Sequence, residues 1–163
     1  MINFTQSLAT GNQPETIFAA LEQLVDDTIG IKLFTLMEID HLRGVARRNY
    51  SNQPDAYPVS GEKPIRQDAW TTLVQGRHET FVANSIDEIA AVFPDYELIQ
   101  TLGCESCLNL PIVVNDTVIG TLNCLHDAGH FTPERVKAAD TLKQPGATAF
   151  LLDAYIKRSL NHE

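Results

Sequence analysis

Three cysteines, Cys104, Cys107 and Cys124, and two of the five histidines, His126 and His130, fall within one short span of this chain. Thiols gathered this way could serve as a nucleophile, a redox pair or metal ligands. Their placement turns on Asn115-Asp116, a dipeptide suited to a tight hairpin turn, with a β-rich run on either side. With nothing inserted, the hairpin pairs Val114 with Thr117, Asn109 with Leu122 and Cys107 with Cys124. Counted from the turn, Cys107 and Cys124 form a non-hydrogen-bonded pair, where side chains approach most closely and a cross-strand disulfide is within reach. Cys104 would be an exposed nucleophile or redox partner. His126 would face Glu105 and share a face with Cys124. If the chain is an enzyme, Cys104, Cys107 and Cys124 are its catalytic candidates. The plainer expectation for Cys107 and Cys124 is that of small buried hydrophobes. A metal is not expected, because Cys104-x-x-Cys107 runs into a strand and, if extended, splays its sulfurs to opposite faces.

The elements that must position these residues follow from punctuation and period. Pro14 opens a helix whose apolar face is Ile17, Phe18, Leu21, Leu24, Val25 and Thr28, and Gly30 ends it. Residues 31–40 and 42–51 are β-rich and joined through Asp40-His41 as a hairpin. The segment 52–64, with three prolines and a glycine, is loop or sheet edge. Arg66 to Arg77 reads as a helix, 79–83 as a short strand, and Ser85 with Glu88 as a capping box on a further helix. Pro94 stops that helix and Asp95 to Thr101 forms another. After the 106–126 hairpin, Thr132-Pro133 opens the last helix, which Pro145-Gly146 should kink. Hairpin-joined strands flanked by helices make an α+β fold with an antiparallel sheet.

Composition bounds the function. A chain of 163 residues with 44% hydrophobic and 20% charged residues is expected to be one domain, 1–163, that buries a sizeable core. Its net charge of −9, from 21 acidic and 12 basic residues, repels nucleic acid and anionic membrane. Arg43, Arg47 and Arg48 are the only local basic group and too few for a phosphate-tracking groove. No window approaches the ~18 apolar residues of a spanning helix, and the N-terminus has no leader-like run, so a cytoplasmic location is expected. No Gly-rich phosphate loop, G-x-S-x-G elbow or H-E-x-x-H is present, and Glu97, Glu105 and Asp127 are only loosely grouped.

The order of elements resembles the GAF domain, a small-molecule sensor module related to PAS domains. The resemblance rests on Tyr57-Pro58-Val59, Phe93-Pro94-Asp95, Leu102-Gly103, Asn109-Leu110-Pro111-Ile112, Ile119-Gly120-Thr121-Leu122-Asn123 and Phe131-Thr132-Pro133-Glu134. It implies a GAF/PAS-like antiparallel sheet of about six strands, with first and last helices on one face. Short helices and loops, residues 52–104, would cover a pocket on the other face. The implied ligand-binding residues are Tyr57, Lys63, Trp70, Cys104, Asn109 and Asn123. Lys63 on its Pro/Gly-rich loop suits an anionic ligand, and the asparagines, polar within buried strands, need partners. The cyclic-nucleotide and bilin signatures of the family are missing. The free methionine-(R)-sulfoxide reductases are similar in size, but their loop cysteine has no counterpart in Gly61-Glu62-Lys63-Pro64-Ile65. The resemblance thus implies a sensory or regulatory domain without catalysis of its own. Its partners would be a small molecule of unknown identity and a second copy joined through first and last helices, and any cofactor is unknown. The alternatives are a thiol-dependent reductase of the sulfoxide-reductase type and a structural dimerisation module with a vestigial pocket.

Overall fold

A computed structural model of the protein describes residues 3–161. Helices α1 (Phe4–Leu8) and α2 (Glu15–Ile29) lead into β1 (Leu33–Asp40), β2 (Val45–Ser51) and β3 (Glu62–Pro64). A short helix α3 (Ala69–Thr71) continues as a π turn, Thr72–Gly76, followed by β4 (Phe81–Ala83), α4 (Ile86–Ala90) and α5 (Tyr96–Thr101). The long hairpin β5 (Ser106–Val114) and β6 (Thr117–His126) precedes α6 (Pro133–Ala139), a 3₁₀ turn Asp140–Leu142 and α7 (Lys143–Leu160). The strands form one six-stranded antiparallel sheet in the order β3-β2-β1-β6-β5-β4. Its edges, β3 and β4, are three residues long.

Two apolar layers sandwich the sheet. On one face α2 buries Ile17, Phe18, Leu21, Val25 and Ile29 against Phe34, Leu36, Leu108, Leu122 and Cys124, with Ala149 and Phe150 of α7 beside them. The period-3.6 face expected of the first helix is therefore the core face, and first and last helices share one side of the sheet. On the other face Leu33, Cys104, Cys107 and Leu125 meet Ile89 and Ile99 from the short helices. Glycine permits the close approach of α7. A Cβ on Gly146 would lie 2.8 Å from Ile112 Cδ1, and one on Gly120 would lie 2.5 Å from Phe150 Cζ.

Asn115 and Asp116 do reverse the chain tightly, both at positive φ (51° and 58°) as a type I′ turn requires. Val114 pairs Thr117, but a bulge follows: Val113 pairs Val118 and Ile112 pairs Gly120, leaving Ile119 unpaired. From there every pairing moves by one residue. Cys107 stands opposite Leu125, Cys124 opposite Leu108, and His126 opposite Ser106 rather than Glu105. One inserted residue flips the whole set of side chains, so the expected Cys107–Cys124 neighbours lie on opposite faces of the sheet. His126 does keep the helix face expected from its parity with Cys124; its ring stacks on His130 at 3.6 Å.

Other boundaries also moved. The expected strand from Leu42 begins at Val45, because Asp40 Oδ1 accepts the Arg43 amide (3.0 Å) and Gly44, at φ 67°, completes a turn. The helix expected from Arg66 starts only after Asp68, whose carboxylate caps Thr71 N (2.9 Å). Ser85 caps Glu88 N, but the Glu88 carboxylate bonds the Asn84 amide rather than that of Ser85, so the box is incomplete. Pro145 does not kink a continuous helix. The break comes earlier, at the 3₁₀ turn, which places Pro145 in the first turn of α7 where no intrahelical donor is lost. Helix α1, capped reciprocally by Asn3 and Gln6, has too little apolar period to be read from sequence.

Candidate functional site

The face of the sheet away from α2 and α7 floors a cavity of about 510 Å³. Its floor follows from strand register. Asn109 of β5, Asn123 of β6 and Thr35 of β1 are direct cross-strand partners. Their side chains form a chain of bonds: Asn109 Nδ2 donates to Asn123 Oδ1 (2.8 Å), and Asn123 Nδ2 donates to Thr35 Oγ1 (3.2 Å). Trp70, carried over the sheet by α3, closes the row by donating Nε1–H to Asn109 Oδ1 (2.9 Å). In the unbulged register the two asparagines would have faced opposite ways; the Ile119 bulge brings them together. The partners that buried amides require are thus each other.

The walls are mostly apolar and aromatic. Phe93 packs edge-on against both Trp70 (6.3 Å) and Phe81 (6.0 Å). Tyr57 donates its hydroxyl to Asp95, and burial and that contact raise its pKa, so the phenol stays protonated. Leu33, Met37, Ile39 and Ile65 add aliphatic surface.

Charge enters through β2. A second bulge, between the pairs Leu36/Tyr50 and Met37/Arg48, leaves Asn49 unpaired. Tyr50 packs with the helix-side core and Asn49 bonds Asp153 of α7 (2.9 Å), while Arg48 lines the cavity. The Arg48 guanidinium lies 5.0 Å from the Tyr57 ring centre, and its Nη1 donates to Pro58 O (3.0 Å). Its Nε is buried without a hydrogen-bond partner. Burial pulls its pKa down, with Tyr57 and Asp95 opposing. Lys63 and Arg66 stand on the same wall; Arg66 pairs with Asp68 at 3.3 Å.

Five of the six residues expected to bind ligand, Tyr57, Lys63, Trp70, Asn109 and Asn123, line this cavity together. Cys104 does not; it is buried in the cluster beside the cavity, not exposed, and Cys107 is the cysteine that reaches the lining. Because Cys104 precedes β5, it is not part of the pleat and sits with Cys107 on one side rather than opposite it. Burial raises all three thiol pKa values, that of Cys107 to about 12. Among the described residues no activating base adjoins Cys107 or Cys124, whose shifts are dominated by desolvation. Among the described residues no group of three or more His, Cys, Asp or Glu is arranged to hold a metal. Sequence reading missed Arg48, Thr35 and Thr121. Asp95 and Phe93 were visible only within the Phe93-Pro94-Asp95 motif.

An antiparallel sheet with paired helices behind and a loop-roofed cavity in front is the architecture that the sequence motifs imply, and a family comparison decides the matter: the model described as GAF domain matches residues 13–150. The chain belongs to the GAF family. Solved GAF domains share its fold. One from a two-component sensor histidine kinase of Bacillus halodurans superposes with a TM-score of 0.70 at 11% identity, covering 89% of this chain and 99% of that one. One from a phosphoenolpyruvate-protein phosphotransferase of Coxiella burnetii gives 0.70 at 18%, covering 96% and 92%. Its Acinetobacter counterpart gives 0.68 at 12%, covering 94% and 91%. No curated protein matches the chain. Among the described residues of this GAF domain no helix is long and apolar enough to cross a membrane.

Proposed function

We propose that residues 1–163 act as one sensory GAF domain that binds a small molecule in the cavity and performs no catalysis of its own. The observation that carries this reading is the cavity itself: open space of about 510 Å³, apolar walls and a bonded polar row at its floor. That combination suits a ligand held by shape and oriented by a few polar contacts. A vestigial pocket would instead be filled by large side chains. The test is thermal unfolding across a metabolite panel, with native mass spectrometry of the purified protein for a retained ligand. At a hundredfold excess over Kd a ligand should add about 2.7 kcal/mol, or roughly 8 °C in a domain of this size. Thr121, 1% exposed on the floor, offers the control. Thr121→Trp should abolish the ligand-dependent rise while far-ultraviolet circular dichroism stays unchanged; a rise that persists in this variant would place the ligand elsewhere.

The reading includes a homodimer formed through first and last helices. Supporting it, α7, which lies on the same side of the sheet as α2, leaves Leu151, Tyr155 and Leu160 exposed. Tyr155→Glu, at a side chain 68% exposed, should convert a dimer to a monomer in light scattering with little change in stability. A wild-type protein that is monomeric at micromolar concentration removes this part.

A further inference from the structure

We infer that the cavity selects a small carboxylate with an apolar body, seating its carboxylate on Arg48. This rests on the ligand-binding reading above and narrows the class of molecule. Arg48 reaches the cavity only because the Asn49 bulge turns it there. Its guanidinium is half-buried, yet no carboxylate of the described residues lies within salt-bridge distance. Asp95, the neighbouring acid, accepts the Tyr57 hydroxyl. Nη1 donates to Pro58 O, and Nε has no partner among the described residues. Nε is enclosed, whereas Nη2 is neither enclosed nor bonded among the described residues, so Nη2 is the edge of the guanidinium left for an acceptor in the cavity. Arg48, Lys63 and Arg66 line the cavity against one lining carboxylate, Asp95. With Arg66 already paired to Asp68, Arg48 and Lys63 still leave the lining positive in a chain whose net charge is −9. That inversion of sign favours an anion.

An arginine fork fits two oxygens of a carboxylate or of a phosphate, so its surroundings narrow the anion. The apolar and aromatic walls beside Arg48 suit the single charge of a carboxylate better than a dianion, which costs more to desolvate. On the floor, Asn109 and Asn123 are committed to each other and to Trp70, and the Thr35 hydroxyl hydrogen is left to meet one further acceptor. Met37, Ile39, Ile65 and Phe93 supply the surface for an apolar remainder.

Trp70 is the sole tryptophan and lies in the cavity wall, so its emission reports occupancy. Phenylpropanoate and hexanoate, each against its own neutral amide, are titrated into the wild-type protein and into Arg48→Gln. Each acid should bind about tenfold or more tightly than its amide, as one charge-assisted contact predicts. Arg48→Gln should erase that preference by weakening the acid far more than the amide, and an unchanged far-ultraviolet circular dichroism spectrum shows that the variant is folded. Equal binding of acid and amide by the wild-type protein overturns the carboxylate assignment but leaves the small-molecule cavity standing. A preference that survives in Arg48→Gln overturns the role of Arg48. Tighter binding of phenyl phosphate than of phenylpropanoate overturns the choice of anion. Absence of any response to acids and amides alike overturns the inference, while the cavity reading beneath it is decided separately by the metabolite panel and the Thr121→Trp control.

Discussion

Gly120→Ala should destabilise the protein by about 3 kcal/mol, lowering Tm by roughly 10 °C. A Cβ at this position would lie 2.5 Å from Phe150 Cζ, 2.7 Å from Phe150 Cε1 and 2.7 Å from the carbonyl oxygen of Met37. The oxygen belongs to the neighbouring strand, since Gly120 pairs with Glu38 of β1, so it cannot rotate away. Phe150 is 4% exposed, within the core cluster, and has little room to move. Either the α7 packing or the sheet must yield, and close-packed interiors resist both. Gly11→Ala is the control. No heavy atom lies within 4 Å of that Cβ, and the change should stay within about 0.5 kcal/mol. Adding Phe150→Leu to Gly120→Ala should recover part of the loss, because it removes the ring contact but not the carbonyl contact. Urea titrations of wild type, Gly120→Ala, Phe150→Leu and the double variant measure this coupling, and a Gly120→Ala protein as stable as wild type would contradict the packing described.

Asn109→Leu should cost about 2 kcal/mol, although it replaces a polar side chain by an apolar one of similar size at a site only 3% exposed. The reason is the row it interrupts. Trp70 Nε1–H loses its acceptor and Asn123 Oδ1 loses its donor. Two half-buried polar groups are left unmatched, and their desolvation outweighs the transfer gain of leucine. A double-mutant cycle isolates the indole contact. In a Trp70→Phe background, where the donor is already gone, the same Asn109→Leu change should cost about 1 kcal/mol less. Equal costs in both backgrounds, read by circular dichroism during denaturation, would show that the two side chains are not energetically joined.

These positions show which features of the fold were legible in the sequence. The α2 face was readable because a fifteen-residue helix repeats its buried positions, Ile17, Phe18, Leu21, Val25 and Ile29, often enough to outweigh local noise. The Asn115-Asp116 reversal was readable because few residues accept positive φ twice in succession. The cavity residues Trp70, Asn109 and Asn123 were named from residue type and family motif. The cysteine geometry failed for a specific reason. A strand pattern assumes unbroken alternation, and the unpaired Ile119 carries no distinguishing residue type. Gly120 beside it was the only signal, compatible equally with close approach and with a bulge; both occur. The same blindness hid Arg48, since the unpaired Asn49 that aims it into the cavity looks like any strand residue. Pro145 misled because a proline in the first turn of a helix and one in its middle have the same sequence signature until the preceding 3₁₀ turn is known.

The outermost strands bear on how copies of this chain can meet. With only three residues each, and with Pro64 lacking an amide hydrogen in one of them, β3 and β4 are poor templates for strand addition. Edge-to-edge stacking into continuous ribbons, the standing hazard of an open antiparallel layer, is thereby blunted at both ends. The proposed pairing through the helices would avoid these edges altogether, since contact there is made by side chains and can stop at two.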